Sequence, residues 1–121
     1  MQVLVVDAAN VMGSRPDGWW RDRAGAARRL HDQLASARLA HDEVVLVLEG
    51  AARSGRPEGV EGQVRTVHAP RSGDDAIVSA AAARVEAGDE VVVVTADRGL
   101  RDRVEAAGAR CLGPAWLLGR L

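Results

Sequence analysis

The chain has 121 residues, 47% of them hydrophobic, with a formal net charge of −1 from 16 basic and 17 acidic residues. That length suits a single domain, 1–121, with a sizeable core, and the balanced charge argues against strong sequence-independent attraction to nucleic acid. No apolar run reaches the roughly 18 residues of a membrane span, and the start MQVLVVD lacks a signal-peptide layout, so a cytoplasmic protein is expected.

QVLVVD (2–7) is a short apolar run ending in an acid and reads as an inner strand covered on both faces. AANVMGSRPDG (8–18) reads as a loop, because Gly13, Pro16 and Gly18 interrupt regular structure. From Trp19 or Trp20 to about Ala37, the residues Ala24, Ala27, Leu30, Leu34 and Ala37 recur at helical spacing, with Asp17 a candidate for the start. EVVLVLEG (43–50) is a second buried strand. AARSGRPEGVEG (51–62) reads as an exposed, mobile loop, and QVRTVHAP (63–70) as a strand nearer the sheet edge.

SGDDAIVSAAAARVEAG (72–88) predicts a helix stopped by Gly88. DEVVVVT (89–95) is the most hydrophobic strand and is expected near the centre of the sheet. A helix over 96–108, a short strand over 109–112 and a helical turn led by Pro114 complete the chain. Strands joined through helical crossovers predict a three-layer α/β/α sandwich around a mainly parallel five-stranded sheet.

Phe, Tyr and Lys are absent. Packing therefore rests on Val, Leu and Ala, and every basic residue is an Arg able to grip phosphate with a two-pronged fork. Cys111 is single, which excludes an internal disulfide and a cysteine zinc site. His31, His41 and His68 lack metal-ligand spacing and read as surface or local structural residues. No phosphate-binding GxxxxGK[ST], dinucleotide GxGxxG or nucleophile-elbow pattern is present.

The chemistry lies in the acids. Asp7 and Glu49 follow apolar strands, Asp74 and Asp75 open a helix, and Asp97 follows VVVVT. A parallel sheet gathers its strand ends along one edge, so these positions can meet, and a cluster of carboxylates repels itself unless a cation or proton relieves it. Mg²⁺ or Mn²⁺, bound through oxygen, is the expected cofactor, with Asp7, Asp74, Asp97 and Glu49 as ligands. Asp75 and Asn10 join Asp7, Asp74 and Asp97 as candidate catalytic groups. Arg15, Arg98, Arg71 and Ser14 are candidates for holding substrate phosphates. Each acid has a structural reading as well: Ser72 and Asp75 fit a capping box, Asp97 can cap the following helix, and Thr95 can take that role instead. Trp19 and Trp20 can stack a base or pack the loop onto the helix.

The order DAAN, VVLVLEG, SGDDAIV, VVVVTADRGLRDRV resembles the PIN-like nuclease superfamily, and more closely its NYN-domain branch of small bacterial RNA-processing proteins. The resemblance runs over nearly the whole chain, with Glu49 standing where relatives often have Asp. It implies strand order 3-2-1-4-5 and a metal-dependent ribonuclease that uses activated water, leaving a 5′-phosphate and a 3′-hydroxyl on single-stranded or structured RNA. Three other readings stay open: a catalytically silent RNA- or protein-binding module, a receiver-like domain, and a small-molecule phosphatase. A homodimer is a further expectation, with the apolar tail of Trp116, Leu117, Leu118 and Leu121 as a candidate interface.

Overall fold

Successive side chains of a strand point to opposite faces, and both faces of the first strand, β1 (Gln2–Asp7), are covered. Leu4 and Val6 pack on one side and Val3 and Val5 on the other, all four fully buried. The computed structural model describes all 121 residues. After β1 come α1 (Ala8–Gly13), α2 (Arg23–Ser36), β2 (Glu43–Leu48), β3 (Gly59–Glu61), β4 (Val64–His68), α3 (Gly73–Glu86), β5 (Glu90–Val94), α4 (Arg98–Ala106), β6 (Arg110–Leu112) and α5 (Pro114–Leu118). Single 3-10 segments occupy Trp19–Arg21 and Gly50–Gly55.

The sheet has six strands in the order β3-β4-β2-β1-β5-β6, not five. Every neighbouring pair is parallel except β3 with β4, which form an antiparallel hairpin at one edge. The sheet is therefore mixed, and β1, flanked by β2 and β5, lies deeper in it than the more hydrophobic β5. One core layer unites α1, α2 and α5 with the sheet through Val11, Leu30, Leu34 and Leu117. The other unites α3 and α4 through Ile77, Ala81, Leu100 and Val104. The result is an α/β/α sandwich.

Three expectations change. Residues 8–13 are helical because the Asp7 carboxylate accepts the Asn10 N–H and caps the turn, while Ala8, Val11 and Met12 bury one face. The helix expected from Trp19 starts instead at Arg23, capped by Asp22 through the Gly25 N–H at 2.8 Å, whereas Asp17 only accepts the Trp19 N–H in the turn before it. The stretch 51–62 is not a plain exposed loop. Its 3-10 segment docks on α2 with Ala52 and Gly55 buried, a contact made by small residues and backbone that a hydropathy reading cannot detect.

Gly55 is required for that docking. A Cβ there would lie 2.2 Å from the Ala24 carbonyl oxygen and 3.1 Å from the Ala27 Cβ. Gly55→Ala is expected to lose about 1–3 kcal/mol of stability in urea unfolding, with the denaturant slope unchanged. Wild-type stability in that variant would show that the segment slides freely on α2.

The chain tail is largely consumed by its own fold. Leu117 is fully buried, Trp116, Leu118 and Leu121 pack partly against the first core layer, and the Arg120 guanidinium lies 4.3 Å from the Trp116 ring centroid. The apolar tail expected as an interface thus supplies intramolecular packing. No helix is long and apolar enough to cross a membrane.

Candidate functional site

The chain leaves β1 toward β2 on one side, and reaches β5 on the other side through α3. The strand order therefore reverses between β1 and β5. In open α/β sheets such a reversal opens a crevice at the carboxyl ends of the strands. Asp7 ends β1 at that point, and Thr95 follows β5.

Asp7 is 6% exposed. Its Oδ2 accepts the Thr95 hydroxyl proton at 2.9 Å, and its Oδ1 accepts the Asn10 N–H at 3.3 Å. Burial pushes its pKa up from 3.8 to about 6 against the lowering effect of these two bonds, and the nearby charges of Asp74 and Glu49 push the same way. Burial likewise raises the Asp74 carboxyl above the ordinary range, helped by Asp97 and Glu49 and opposed by Arg103. The acids of four separate segments thus share one electrostatic neighbourhood.

Their roles differ in detail. Asp74 is half-buried and makes no hydrogen bond or ion pair of its own within the chain. Asp97 is exposed and caps α4, its Oδ1 accepting the Leu100 N–H at 3.0 Å, while the Thr95 hydroxyl oxygen accepts the Asp97 N–H at 3.1 Å. Thr95 therefore orients Asp7 and does not replace Asp97 as the cap. Glu49 accepts the Gly73 N–H at 2.9 Å and supplies the anion at the start of α3. Ser72, the expected cap, makes no side-chain capping bond. Asp75 stands apart: its side chain is 78% exposed and pairs with Arg103 at 2.9 Å.

Asn10 reaches across the crevice, its Oδ1 accepting the Ala96 N–H at 2.8 Å and tying α1 to the segment after β5. Ser14 donates to the Val11 carbonyl at 2.7 Å. Arg15, Arg71 and Arg98 make no ion pair, and Arg71 and Arg98 are exposed. Sequence reading did not assign Thr95 to Asp7 or Arg103 to Asp75. A polar residue directly after the apolar run VVVV was the signal for the first, while nothing local pointed to the second.

No group of three or more His, Cys, Asp or Glu side chains is arranged to hold a metal ion. The donors present still suit a hard cation. Mg²⁺ commonly takes one or two carboxylates and keeps several waters, and Asp7 with the unpaired Asp74 offers that set.

The comparisons with known proteins match this architecture. The crystal structure of Rae1 (YacP) from Bacillus subtilis, solved in a mutant form, superposes with a TM-score of 0.79 at 19% identity, covering 98% of this chain and 74% of that chain. The fold is PIN-like. No family model and no curated protein sequence matches the chain.

The raised Asp7 carboxyl has a stability consequence. Folding favours its protonated form, so its contribution is fully present below about pH 4 and is lost as pH rises through about 6. Asp7→Asn is expected to stabilise the protein by about 2 kcal/mol at pH 8, with the gain vanishing below pH 4. Urea unfolding of both proteins across that range measures it, and a gain independent of pH would reject the electrostatic cause.

Proposed function

We propose that this chain is a divalent-metal-dependent ribonuclease that hydrolyses RNA phosphodiester bonds with activated water, leaving a 5′-phosphate and a 3′-hydroxyl. The observation carrying this reading is the buried Asp7 at the strand-order reversal, its carboxyl raised by burial and by the charges of Asp74 and Glu49. Nothing in the fold neutralises that group: no Arg pairs with Asp7, Asp74 or Glu49. The resemblance of DAAN, SGDDAIV and VVVVTADR to NYN-domain motifs, and the fold shared with Rae1 (YacP), support the same reading.

Asp7 and Asp74 would hold Mg²⁺ or Mn²⁺, with Asp97 and Glu49 contributing through water. When bound, such an ion lowers the pKa of a coordinated water and offsets charge growing on phosphate oxygens. The protein's own groups do the rest. Thr95 fixes the orientation of the Asp7 carboxylate through the 2.9 Å bond, and Asn10 holds the crevice wall. The free oxygen of Asp97 can accept a proton from a water or steer it, because only Oδ1 is engaged by the cap. Arg15, Arg71 and Arg98, without carboxylate partners, suit the flanking phosphates, and the Ser14 hydroxyl retains acceptor capacity for a ribose hydroxyl. Asp75, turned to Arg103, is left outside this machinery.

A second reading, a silent RNA- or protein-binding module, is favoured by one observation: Asp97 and Glu49 each have an oxygen engaged by a backbone N–H.

Asp7→Asn and Asp74→Asn are expected to lower Mn²⁺-dependent cleavage of labelled single-stranded RNA by about 10²-fold or more while remaining folded. Mn²⁺ binding followed by electron paramagnetic resonance is expected to weaken in both. Retained cleavage in both variants would move the reaction to another centre. Mn²⁺ binding without turnover in the parent protein would favour the silent module.

A further inference from the structure

The segment between α1 and α2 presents an aromatic ring to solvent. Trp20 is 55% exposed, whereas Trp19 packs against the core with its Cζ2 atom 3.7 Å from where a Gly13 Cβ would stand. The two rings meet edge to face at 6.0 Å, so Trp19 anchors the turn and Trp20 projects from it. Burying neither ring fully costs the fold hydrophobic free energy, and a soluble surface gains nothing from an isolated exposed indole.

A groove of about 520 Å³ is lined by Asn10, Gly13, Ser14, Ala96 and Pro114 among others, and Trp19, the chain neighbour of Trp20, packs against its Gly13. The groove begins at the Asn10–Ala96 hydrogen bond, next to Asp7 and Asp97, and follows α1 to Gly13. The six residues of α1 span about 9 Å, a distance that a few nucleotides of extended strand bridge. The adjoining stretch, residues 15–23, carries three arginines against two aspartates. Arg15, Arg21 and Arg23 make no ion pair, and the Arg21 guanidinium lies 5.8 Å from the Trp20 ring centroid. Asp22 caps α2 by accepting the Gly25 N–H, while Asp17 accepts the Trp19 N–H and lies 3.9 Å from the Arg29 guanidinium.

Resting on the ribonuclease reading, we propose that single-stranded RNA lies in this groove and stacks one base on Trp20, which positions nucleotides flanking the cleaved bond. A duplex covers both faces of each base with its neighbours, so only an unpaired, splayed base offers its face to the indole. The arginines beside the ring meet the phosphates on either side of that base. The site therefore selects single strands by shape and stacking, with no need for a base-specific hydrogen bond.

The test compares Trp20→Ala and Trp20→Phe with the parent protein on a mixed-sequence single-stranded RNA, in Mn²⁺. Trp20→Ala is expected to raise KM about tenfold while kcat changes by less than about twofold, and Trp20→Phe to restore most of the loss. An RNA carrying one abasic residue at the stacked position is expected to bind the parent as weakly as Trp20→Ala binds intact RNA, with no further loss when the two changes are combined. Additive losses, or an unchanged KM in Trp20→Ala, would overturn the stacking proposal while leaving the ribonuclease reading intact. If the parent cleaves no RNA, fluorescence anisotropy with the same labelled RNA decides. Tenfold weaker binding by Trp20→Ala upholds the stack and rejects only the cleavage, and equal binding by both proteins rejects the stack. Trp20 lies outside the core, so near-parental thermal unfolding of the variants is the control for folding.

Discussion

A carboxylate held almost out of water at the end of an inner strand constrains everything around it. Asp7 cannot move outward, because β1 is fixed between β2 and β5 by ladders on both sides. No arginine pairs with it. It is steadied instead by one hydroxyl and one backbone N–H, which reduce but do not cancel the cost of burial. The apolar layers on both faces of the sheet supply the stability against which that cost is set.

The neighbouring acids serve the fold and the crevice together. Glu49 and Asp97 each use one oxygen at a helix start and leave the other free, so the helices α3 and α4 are aimed by the same groups that make the crevice negative. Gly73 lets this happen: a Cβ there would come within 3.1 Å of the Glu49 Oε1. Capping leaves each of these acids a free oxygen, because a carboxylate has more acceptor sites than a cap requires.

Much of this was legible from residue order. Apolar runs marked β1, β2 and β5, since burial on both faces leaves a continuous run of Val and Leu, while β4 and β6 were read from shorter mixed stretches. The missed parts share a cause. Helix α1, the segment Gly50–Gly55 and strand β3 are short and carry Gly or Ala, so their stability comes from capping and from backbone packed on α2 or β4, which no hydropathy pattern records. At the crevice, strand ends located Asp7, Glu49 and Asp97. The orientation of Asp75 toward Arg103 depended on a contact 28 residues away in sequence. Adjacent helical residues point in different directions, and only the position of α4 decides which of Asp74 and Asp75 faces the sheet edge.

The lack of lysine gives the chain an unusual proton inventory. Apart from three histidines, every basic side chain is a guanidinium. Acidification can thus only make the crevice more positive, through proton uptake by Asp7 and Asp74. A drop in pH therefore strips negative charge from the strand-end crevice first, because burial makes Asp7 and Asp74 readier to take up a proton than ordinary carboxyls.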